Sequence, residues 1–468
     1  MFNRSLNQRS ILTILFVFSL IVFLASLRSF QLQALHQQSS QTTLPTSPPL
    51  DEFGPPGEDN CKAPSTTVDT IVIVKTGANE IYEKLPTLLL TALRDYDPAN
   101  LLIFSDLGQQ LGPYTIHDAL DNVTHSVKSQ NPEFGYYRTL QEYQENGQDA
   151  SRLRESFHDA AWNLDKYKFL HMVEKTWKMR PNRKWYIFIE ADTYLVQSNL
   201  RLWLARLDSS RPHYLGAPTS LNGEAFPHGG SGFILSGKAL SMFADGNEGI
   251  AAEYDDAMQY EKFGDYMLMK ALKAQGVKFR SSWPLLQAEK PSTLPFGPGP
   301  DTGVRHWCQP VVTMHHISPD EASQIWAFEQ TVQDSSKPIL MKDFYEQMIA
   351  SEIRAERDDW YNLSDDLMYR ARGMDGDRQK SGDDMSAIEK EAHLSFEHCR
   401  RVCEEHNRCF QFAYTDQSCG FSYSYRLGSK YEGDPSEPSF KSGWILEKIA
   451  RDNGANTCSS PRWPGSTV

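Results

Sequence analysis

The chain has 468 residues, of which 40% are hydrophobic and 12% are aromatic, so it can form a sizeable core and is not largely disordered. This length predicts two or three domains. Lys and Arg number 47 and Asp and Glu number 60, which gives a net charge of −13. Such an acidic chain is a poor candidate for nucleic-acid binding, because phosphate contacts require clustered basic residues.

The N-terminal segment predicts a membrane anchor. Residues 11–27 carry no charge, and Arg4 and Arg9 precede them without an acidic residue. The positive-inside rule then leaves the N-terminus in the cytosol and the rest of the chain in the lumen, as in a type II membrane protein of the Golgi or ER. A cleaved signal peptide is the competing interpretation, because Ala25 and Ser26 would suit a cleavage site. We favour the anchor because the run is long for a signal core and a Gln/Ser/Thr/Pro-rich stem follows it.

A lumenal location would make two further features relevant. The chain has seven cysteines, which predicts disulfides with one thiol left over. Four of the cysteines lie close together, between residues 399 and 419. Asn122 and Asn362 begin N-glycosylation sequons and are the predicted acceptors.

The middle of the chain predicts an α/β domain. Residues 70–74 form a β-branched apolar run typical of a strand buried on both faces. A helix-like stretch follows, and then a second predicted buried strand at 101–106. This order begins a βαβ unit and implies a parallel sheet. An amphipathic helix is predicted at 162–177 and another buried strand at 185–189.

Later segments complete this domain and precede a smaller one. Short strands at 214–217 and 232–236 flank a glycine-rich turn, a helix is predicted at 263–275, and a late strand at 311–315. Ser318 and Glu321 form a capping-box signal for the next helix. The predicted organisation is a cytosolic tail (1–10), an anchor (11–28), a stem (29–66), the α/β domain (67–335), a helical segment and linker (336–390), a cysteine-rich module (391–447) and a tail (448–468).

Two carboxylates close the strand at 185–189. Glu190 and Asp192 flank Ala191 at the point where the apolar run ends. Open α/β sheets bind ligands at the carboxyl ends of their strands, and paired carboxylates there suit Mn²⁺ or Mg²⁺. On spacing alone, a solvated loop with an N-capping Asp is the more common outcome.

The wider pattern resembles glycosyltransferase family 31, which includes core 1 β-1,3-galactosyltransferases and fringe enzymes and has a GT-A fold. Residues 184–204 (KWYIFIEADTYLVQSNLRLWL) resemble its metal-binding segment. Further similarities occur in the family's order, and together they span about residues 69–330. They are Thr76-Gly77, Trp162-Asn163 with Lys166, the turn and strand His228–Ser236, Gly264-Asp265 followed by Leu268, and Val312–His315.

The resemblance implies a metal-dependent, inverting transfer of a hexose from a UDP-sugar to a glycan or glycoprotein acceptor, with β-1,3-galactosyl transfer as one candidate. It implies that Asp192 and His315 bind a cation such as Mn²⁺ and that Glu190 helps to hold the metal or the nucleotide. It also implies that Asp265 is the general base on the acceptor hydroxyl, with Asp255 and Asp256 as fallbacks. The residues implied for the donor and its nucleotide are Thr76, Gly77, Lys166, Glu190, Gly229 and Gly230.

Two departures from the family keep an alternative open. Ala191 replaces the middle acid of the family's triplet, and Gly264 replaces the Glu before the helix Asp. A lectin-like binding protein without turnover is therefore the alternative function. A zinc site built on Cys308 and nearby histidines is disfavoured because Cys-x₆-His is not a standard spacing, and His316 is expected to pack or to support a ligand.

The cysteine-rich stretch resembles the PAN/Apple module over about residues 391–447, with a Cys-bearing helix, a Cys-x-x-Phe-x-Tyr strand and a final Cys in a second strand. The resemblance implies the disulfides Cys399–Cys419 and Cys403–Cys409. It also implies a protein or carbohydrate ligand, and a purely structural appendage remains the alternative.

Overall fold

The computed structural model describes residues 69–298, 306–332, 334–374, 376–433, 438–455 and 457–463. The predicted cytosolic tail, anchor and stem lie outside these residues, as does Cys61. None of the helices in these ranges has the length and apolar character that crossing a membrane requires.

The strands are β1 Thr70–Lys75, β2 Leu101–Ser105, β3 Gln109–Leu111, β4 Tyr114–Asp118, β5 Trp185–Glu190, β6 Tyr194–Leu195, β7 Tyr214–Gly216, β8 Pro218–Leu221, β9 Glu224–Pro227, β10 Phe233–Ser236, β11 Phe279–Ser281, β12 Thr313–Met314, β13 Glu356–Asp358, β14 Trp360–Tyr361, β15 Leu367–Arg370, β16 Gln411–Thr415, β17 Ser418–Ser422, β18 Ser429–Lys430 and β19 Lys441–Trp444. The helices are α1 Ile81–Leu90, α2 His125–Gln130, α3 Gly135–Glu145, α4 His158–Asp165, α5 Lys168–Met179, α6 Gln197–Leu204, α7 Gly237–Ala244, α8 Asp255–Met258, α9 Gly264–Ala274, α10 Pro319–Thr331, α11 Met341–Phe344, α12 Phe396–Glu405 and α13 Leu446–Ala455.

The larger sheet has eight strands in the order β11-β7-β10-β5-β1-β2-β4-β3. Its centre is parallel, as the βαβ pattern predicted, because β1 pairs with both β5 and β2 in parallel. The strand β10 runs antiparallel to β5, so the residues that precede β10 lie at the same edge as the carboxyl end of β5. This sheet is mixed, and its central strands are continuous apolar runs because both faces are covered.

Alternate residues of β1 belong to two separate apolar cores. Val72 and Val74 pack with α1 on one face, whereas Ile71 and Ile73 pack with α5 and α9 on the other. This alternation follows from the two-residue side-chain period of a strand. The central sheet is therefore a rigid layer between helices, and its edge holds side chains in fixed positions.

One helix predicted from the sequence is divided into two. The predicted helix at 162–177 becomes α4 and α5, which meet at Lys166 and Tyr167. The Tyr167 N–H donates to the carbonyl of Leu164, an i to i−3 bond that tightens the chain at this joint.

A second sheet contains five antiparallel strands in the order β13-β19-β16-β17-β15, and α12 shares its small core. Both disulfides implied by the PAN/Apple resemblance are present, Cys399–Cys419 and Cys403–Cys409. The strands β13 and β15 precede residue 391, so the sheet begins earlier than the predicted module boundary. Strands of three and four residues are too short to show a two-residue period in the sequence.

A third disulfide, Cys308–Cys458, joins residues 150 positions apart. The sequence predicted that Cys308 is either buried or in a disulfide, but it did not predict the partner. This disulfide connects the C-terminal segment to the region that follows the larger sheet. The three disulfides account for six of the seven cysteines.

The two sequons have different environments. Asn122 is exposed, as a glycan acceptor must be. Asn362 is fully buried, and its side-chain amide donates to the carbonyl oxygens of Phe412 and Gly443. The structure therefore argues against the predicted glycan at Asn362, because the folded chain leaves no space or free amide hydrogen there.

Candidate functional site

The parallel pairing of β1 with β5 places basic and acidic residues side by side at one sheet edge. Lys75, the last residue of β1, is in register with Glu190, the last residue of β5. The two side chains form an ion pair with Nζ 3.1 Å from Oε1. Asp192 follows one residue beyond Ala191, so both predicted carboxylates lie at the carboxyl end of the central strands.

The pairing of β12 with β6 brings His315 to these carboxylates. Met314 is opposite Tyr194 in this antiparallel ladder, which places His315 beside the turn that contains Asp192. The Nε2 atom of His315 is 3.4 Å from Asp192 Oδ1 and 3.7 Å from Glu190 Oε2. The structure thus gathers the three residues for which the resemblance implied a shared cation.

His316 joins this cluster, although it was expected only to pack or to support a ligand. Its backbone has a φ of 59°, and its ring centroid is 3.8 Å from that of His315. One ligand atom from each of Asp192, His315 and His316 can be chosen so that all lie within 4.8 Å of one another. The sequence signal was the adjacent histidine pair, but the positive φ that turns the second ring is not visible in the sequence.

The carboxylates of the cluster favour positive charge, which a proton on His315 supplies in the absence of a metal ion and which a bound cation would replace. Burial opposes a charge on His315, yet its hydrogen bonds to Asp192 and Glu190 raise the pKa of the imidazole to about 9. Burial also opposes ionisation of Glu190, but Lys75 and His315 hold the pKa of its carboxyl well below its usual range. The second nitrogen of His315, Nδ1, is buried and has no hydrogen-bond partner within the described ranges.

A chain of alternating charges extends from the cluster in both directions. Lys84 in α1 lies between Asp192 and Glu80, with Nζ 3.1 Å from a carboxylate oxygen of each. In the other direction Lys75 also pairs with Asp165. These partners connect the end of α4 to the two predicted acids.

The same chain continues into the centre of the domain. Lys168 at the start of α5 is 3.1 Å from Asp165 and 2.7 Å from Asp106, measured between Nζ and the carboxylate oxygens. Its Nζ also donates to the carbonyl oxygen of Thr76 at 2.9 Å. Sequence reasoning missed these lysines and Asp165, because the pairs that join them to the sheet edge are distant in the chain. Lys75 and Asp165 are 90 residues apart, and Lys84 and Asp192 are 108 residues apart.

A three-residue turn, Gly229–Ser231, separates the cluster from Asp265. The turn immediately precedes β10 and therefore lies at the carboxyl edge of β5. The ring of His315 covers Gly230 so closely that any Cβ at this position would overlap it. On the other side, the N–H of Gly229 donates to Asp265 Oδ2 at 2.8 Å. The absence of side chains at Gly229 and Gly230 lets Asp265 and His315 approach the same backbone.

Asp265 is held as a largely buried carboxyl in the first turn of α9. Besides the bond from Gly229, its Oδ1 accepts the N–H of Tyr266 at 2.8 Å. Burial raises the pKa of this carboxyl to about 6, against the opposing effect of the two backbone hydrogen bonds. A carboxyl with this pKa is ionised at neutral pH and is a stronger base than an exposed Asp, as general-base chemistry requires.

Of the other residues implied for donor binding, Thr76 and Gly77 lie at the sheet edge, whereas Lys166 does not. Thr76 and Gly77 follow β1 at the same edge, and the Thr76 hydroxyl is buried without a hydrogen-bond partner in the described part of the chain. Lys166 does not reach the carboxylate cluster. Its Nζ instead donates to Glu133 at 2.8 Å and to the carbonyl of Glu261 at 3.1 Å, so its role is to fix the joint between α4 and α5.

The fallback bases and the zinc alternative lie elsewhere. Asp255 is buried against His171, with Oδ1 2.7 Å from Nε2, and it accepts the N–H of Thr124. Asp256 is exposed. Cys308 is consumed by its disulfide and cannot ligate zinc.

No protein-family model and no curated protein sequence matches this chain. The assignment of function therefore rests on the geometry of the carboxylate cluster and the residues around it.

Proposed function

We propose that this chain is a metal-dependent glycosyltransferase that transfers a sugar from a UDP-sugar to a hydroxyl of a glycan or glycoprotein. The observation that carries the proposal is the placement of two chemical groups on opposite sides of one turn. Asp192, His315 and His316 form a cluster of potential metal ligands, and the His315 ring of this cluster lies against Gly230. Asp265, a buried carboxyl with a raised pKa, accepts the N–H of the adjacent Gly229.

The donor atoms of the cluster fit a divalent cation such as Mn²⁺. Carboxylate oxygen and imidazole nitrogen are both suitable ligands, and the buried Nδ1 of His315 has no protein partner in the described ranges. Asp192, His315 and His316 would hold the ion, with Glu190 beside them. A cation bound there would supply Lewis-acid stabilisation of the departing diphosphate.

In the proposed reaction the acceptor hydroxyl oxygen forms a bond to the anomeric carbon of the donor while the bond from that carbon to the diphosphate oxygen breaks. UDP leaves with the electron pair, and Asp265 accepts the hydroxyl proton. The single displacement inverts the anomeric carbon. Asp265 is suited to this role because its burial raises the pKa to about 6 while leaving it ionised at neutral pH.

The finer assignments of fold and compartment belong to the same proposal. A parallel sheet centre with acidic residues at its carboxyl edge supports a GT-A-like domain. The disulfides Cys399–Cys419 and Cys403–Cys409, each with one cysteine in α12, support a PAN/Apple-like module. Three disulfides and the exposed sequon at Asn122 support a lumenal location in the secretory pathway. The membrane anchor, type II orientation and Golgi location remain predictions from the sequence.

The test begins with binding and then measures turnover. Wild-type protein should bind UDP only with Mn²⁺ present, and Asp192→Ala should abolish that metal-dependent binding. Asp256→Ala, which removes an exposed carboxylate in α8, is the matched control and should bind normally. Metal-dependent UDP affinity that survives in Asp192→Ala would refute the cation site.

Turnover is tested with a panel of UDP-sugars and acceptor glycosides, with UDP release as the readout. Asp265→Asn should reduce transfer by ~10²–10⁴-fold, the usual contribution of general acid–base catalysis, while UDP affinity stays near that of wild type. A normal transfer rate in Asp265→Asn would remove Asp265 from the mechanism.

A lectin-like binding protein is the second candidate. The ion pairs Lys84–Asp192 and Lys75–Glu190 favour it, because they already balance the two carboxylates without a cation. This candidate predicts glycan binding with no UDP release from any donor in the panel.

A further inference from the structure

An exposed aromatic surface lies beside the candidate base. Trp162 in α4 is 48% exposed, which is unusual for so large an aromatic side chain. Its ring makes an edge-on contact with Phe263, with the ring centroids 6.1 Å apart. The Nζ atom of Lys262 lies 5.7 Å from the Trp162 ring and 5.3 Å from the Phe263 ring. We call Trp162, Lys262 and Phe263 the aromatic shelf.

Two connections place the shelf at the rim of the candidate site. Trp162 is one helical turn before Asp165, so their side chains lie on the same face of α4, and Asp165 pairs with Lys75 of the charge network. Phe263 is two residues before Asp265. The end of α4 and the start of α9 are packed closely together, because the carbonyl oxygen of Lys166 leaves no room for a Cβ on Gly264.

We propose that the aromatic shelf binds a sugar ring of the acceptor and presents one of its hydroxyls to Asp265. This inference rests on the glycosyltransferase function proposed above. A sugar ring has an apolar C–H face that can pack on an indole, and its hydroxyls need polar partners nearby. The amide of Asn163, which is exposed on the same helix, and the ammonium of Lys262 are suitable partners.

The position of the shelf favours the acceptor over the nucleotide. Phe263 of the shelf is two residues before Asp265, whose carboxylate accepts the N–H of Gly229. The ring of His315, from the cluster that would hold the diphosphate, lies instead against Gly230. A group that takes a proton from the acceptor hydroxyl must lie next to the acceptor. The aromatic shelf is therefore a specificity surface for the acceptor sugar.

The kinetic test compares three variants of the full chain. Trp162→Ala should raise the KM for the acceptor glycoside about tenfold and leave kcat within about threefold, because a lost aromatic contact weakens binding of the ring. Its affinity for UDP with Mn²⁺ should be unchanged. Trp162→Phe should recover most of the acceptor affinity, because it retains an aromatic face. His158→Ala, in the exposed first turn of the same helix, is the control and should match wild type.

Two results would overturn the inference. One is an unchanged acceptor KM in Trp162→Ala, and the other is a loss of UDP affinity in that variant, which would place the nucleotide on the shelf. A binding assay separates failure here from failure of the proposed function. Saturation-transfer NMR with methyl glycosides of hexoses and N-acetylhexosamines should show contacts to wild type that weaken in Trp162→Ala. If wild type shows these contacts, Trp162→Ala weakens them and no donor in the panel releases UDP, then the aromatic shelf binds sugar but the transferase proposal fails. If wild type shows no such contacts, the aromatic shelf is refuted.

Discussion

Asp265 should make the stability of this protein depend on pH in a way that Asp265→Asn removes. Burial raises the pKa of the Asp265 carboxyl from its ordinary value of 3.8 to about 6 in the folded chain. The folded state therefore retains a proton on Asp265 at pH values where the unfolded state has released it. Stability consequently falls as pH rises from about 4 to about 6, and the loss persists above that range. The change in the pKa from 3.8 to about 6 corresponds to a loss of up to ~3 kcal/mol in the free energy of unfolding.

The assay is urea unfolding of wild type and of Asp265→Asn at pH 4 and at pH 8. The variant lacks the titrating group, so its free energy of unfolding relative to wild type should increase by up to ~3 kcal/mol between the two pH values. Any fixed cost of placing an amide against the N–H groups of Gly229 and Tyr266 is the same at both pH values and cancels. Asp256→Asn, with an exposed carboxylate, is the control and should follow wild type. The raised pKa would be refuted if the difference in the free energy of unfolding between Asp265→Asn and wild type were the same at pH 4 and pH 8. A change in the opposite direction would also refute it.

Three further predictions follow from packing and burial. Gly264→Ala should lower the free energy of unfolding by about 1–3 kcal/mol or more in urea titrations, because its Cβ would overlap a backbone oxygen. In cells of the secretory pathway, Asn122→Gln should remove a glycosidase-sensitive mobility shift on gels while Asn362→Gln leaves it unchanged, because only Asn122 is exposed. Replacing Cys308 and Cys458 together by Ser should lower stability by about 2–5 kcal/mol, because that disulfide joins residues 150 positions apart, and equal urea midpoints for this variant and wild type would contradict this.

Much of the fold could be predicted because its central strands are buried on both faces. The apolar runs of β1, β2 and β5 are visible without any tertiary information, and the capping box of Ser318 and Glu321 marks the start of α10. The joint between α4 and α5 could not be predicted, since the apolar pattern continues through it. It depends on contacts of Lys166 with Glu133 and Glu261, which lie 33 and 95 residues away in the chain.

The candidate site also combines features that the sequence predicted with contacts that it could not predict. The strand pattern predicted Glu190 and Asp192 at a sheet edge, and the family resemblance implied that His315 and Asp265 would join them. The structure places Asp192, His315 and Asp265 around the Gly229–Ser231 turn. The ion pairs of Lys75 and Lys84 could not be predicted, because they depend on which distant segments the sheet brings together. The disulfides within the cysteine-rich stretch were implied correctly, whereas the pairing of Cys308 with Cys458 has no local pattern.

The two departures from the family pattern have a physical explanation that weakens the case for an inactive protein. Ala191 is 6% exposed and belongs to the apolar core that also contains Tyr194 and Leu195, where an acidic side chain would be buried among apolar groups. Gly264 begins α9 where its backbone meets Lys166 and Phe169, and a larger side chain there would separate α9 from the joint of α4 and α5. Both substitutions therefore suit the local packing of this chain and leave Asp192 and Asp265 in position. The structural argument that remains for the lectin-like alternative is the pairing of Lys75 with Glu190 and of Lys84 with Asp192, which UDP binding with Mn²⁺ tests.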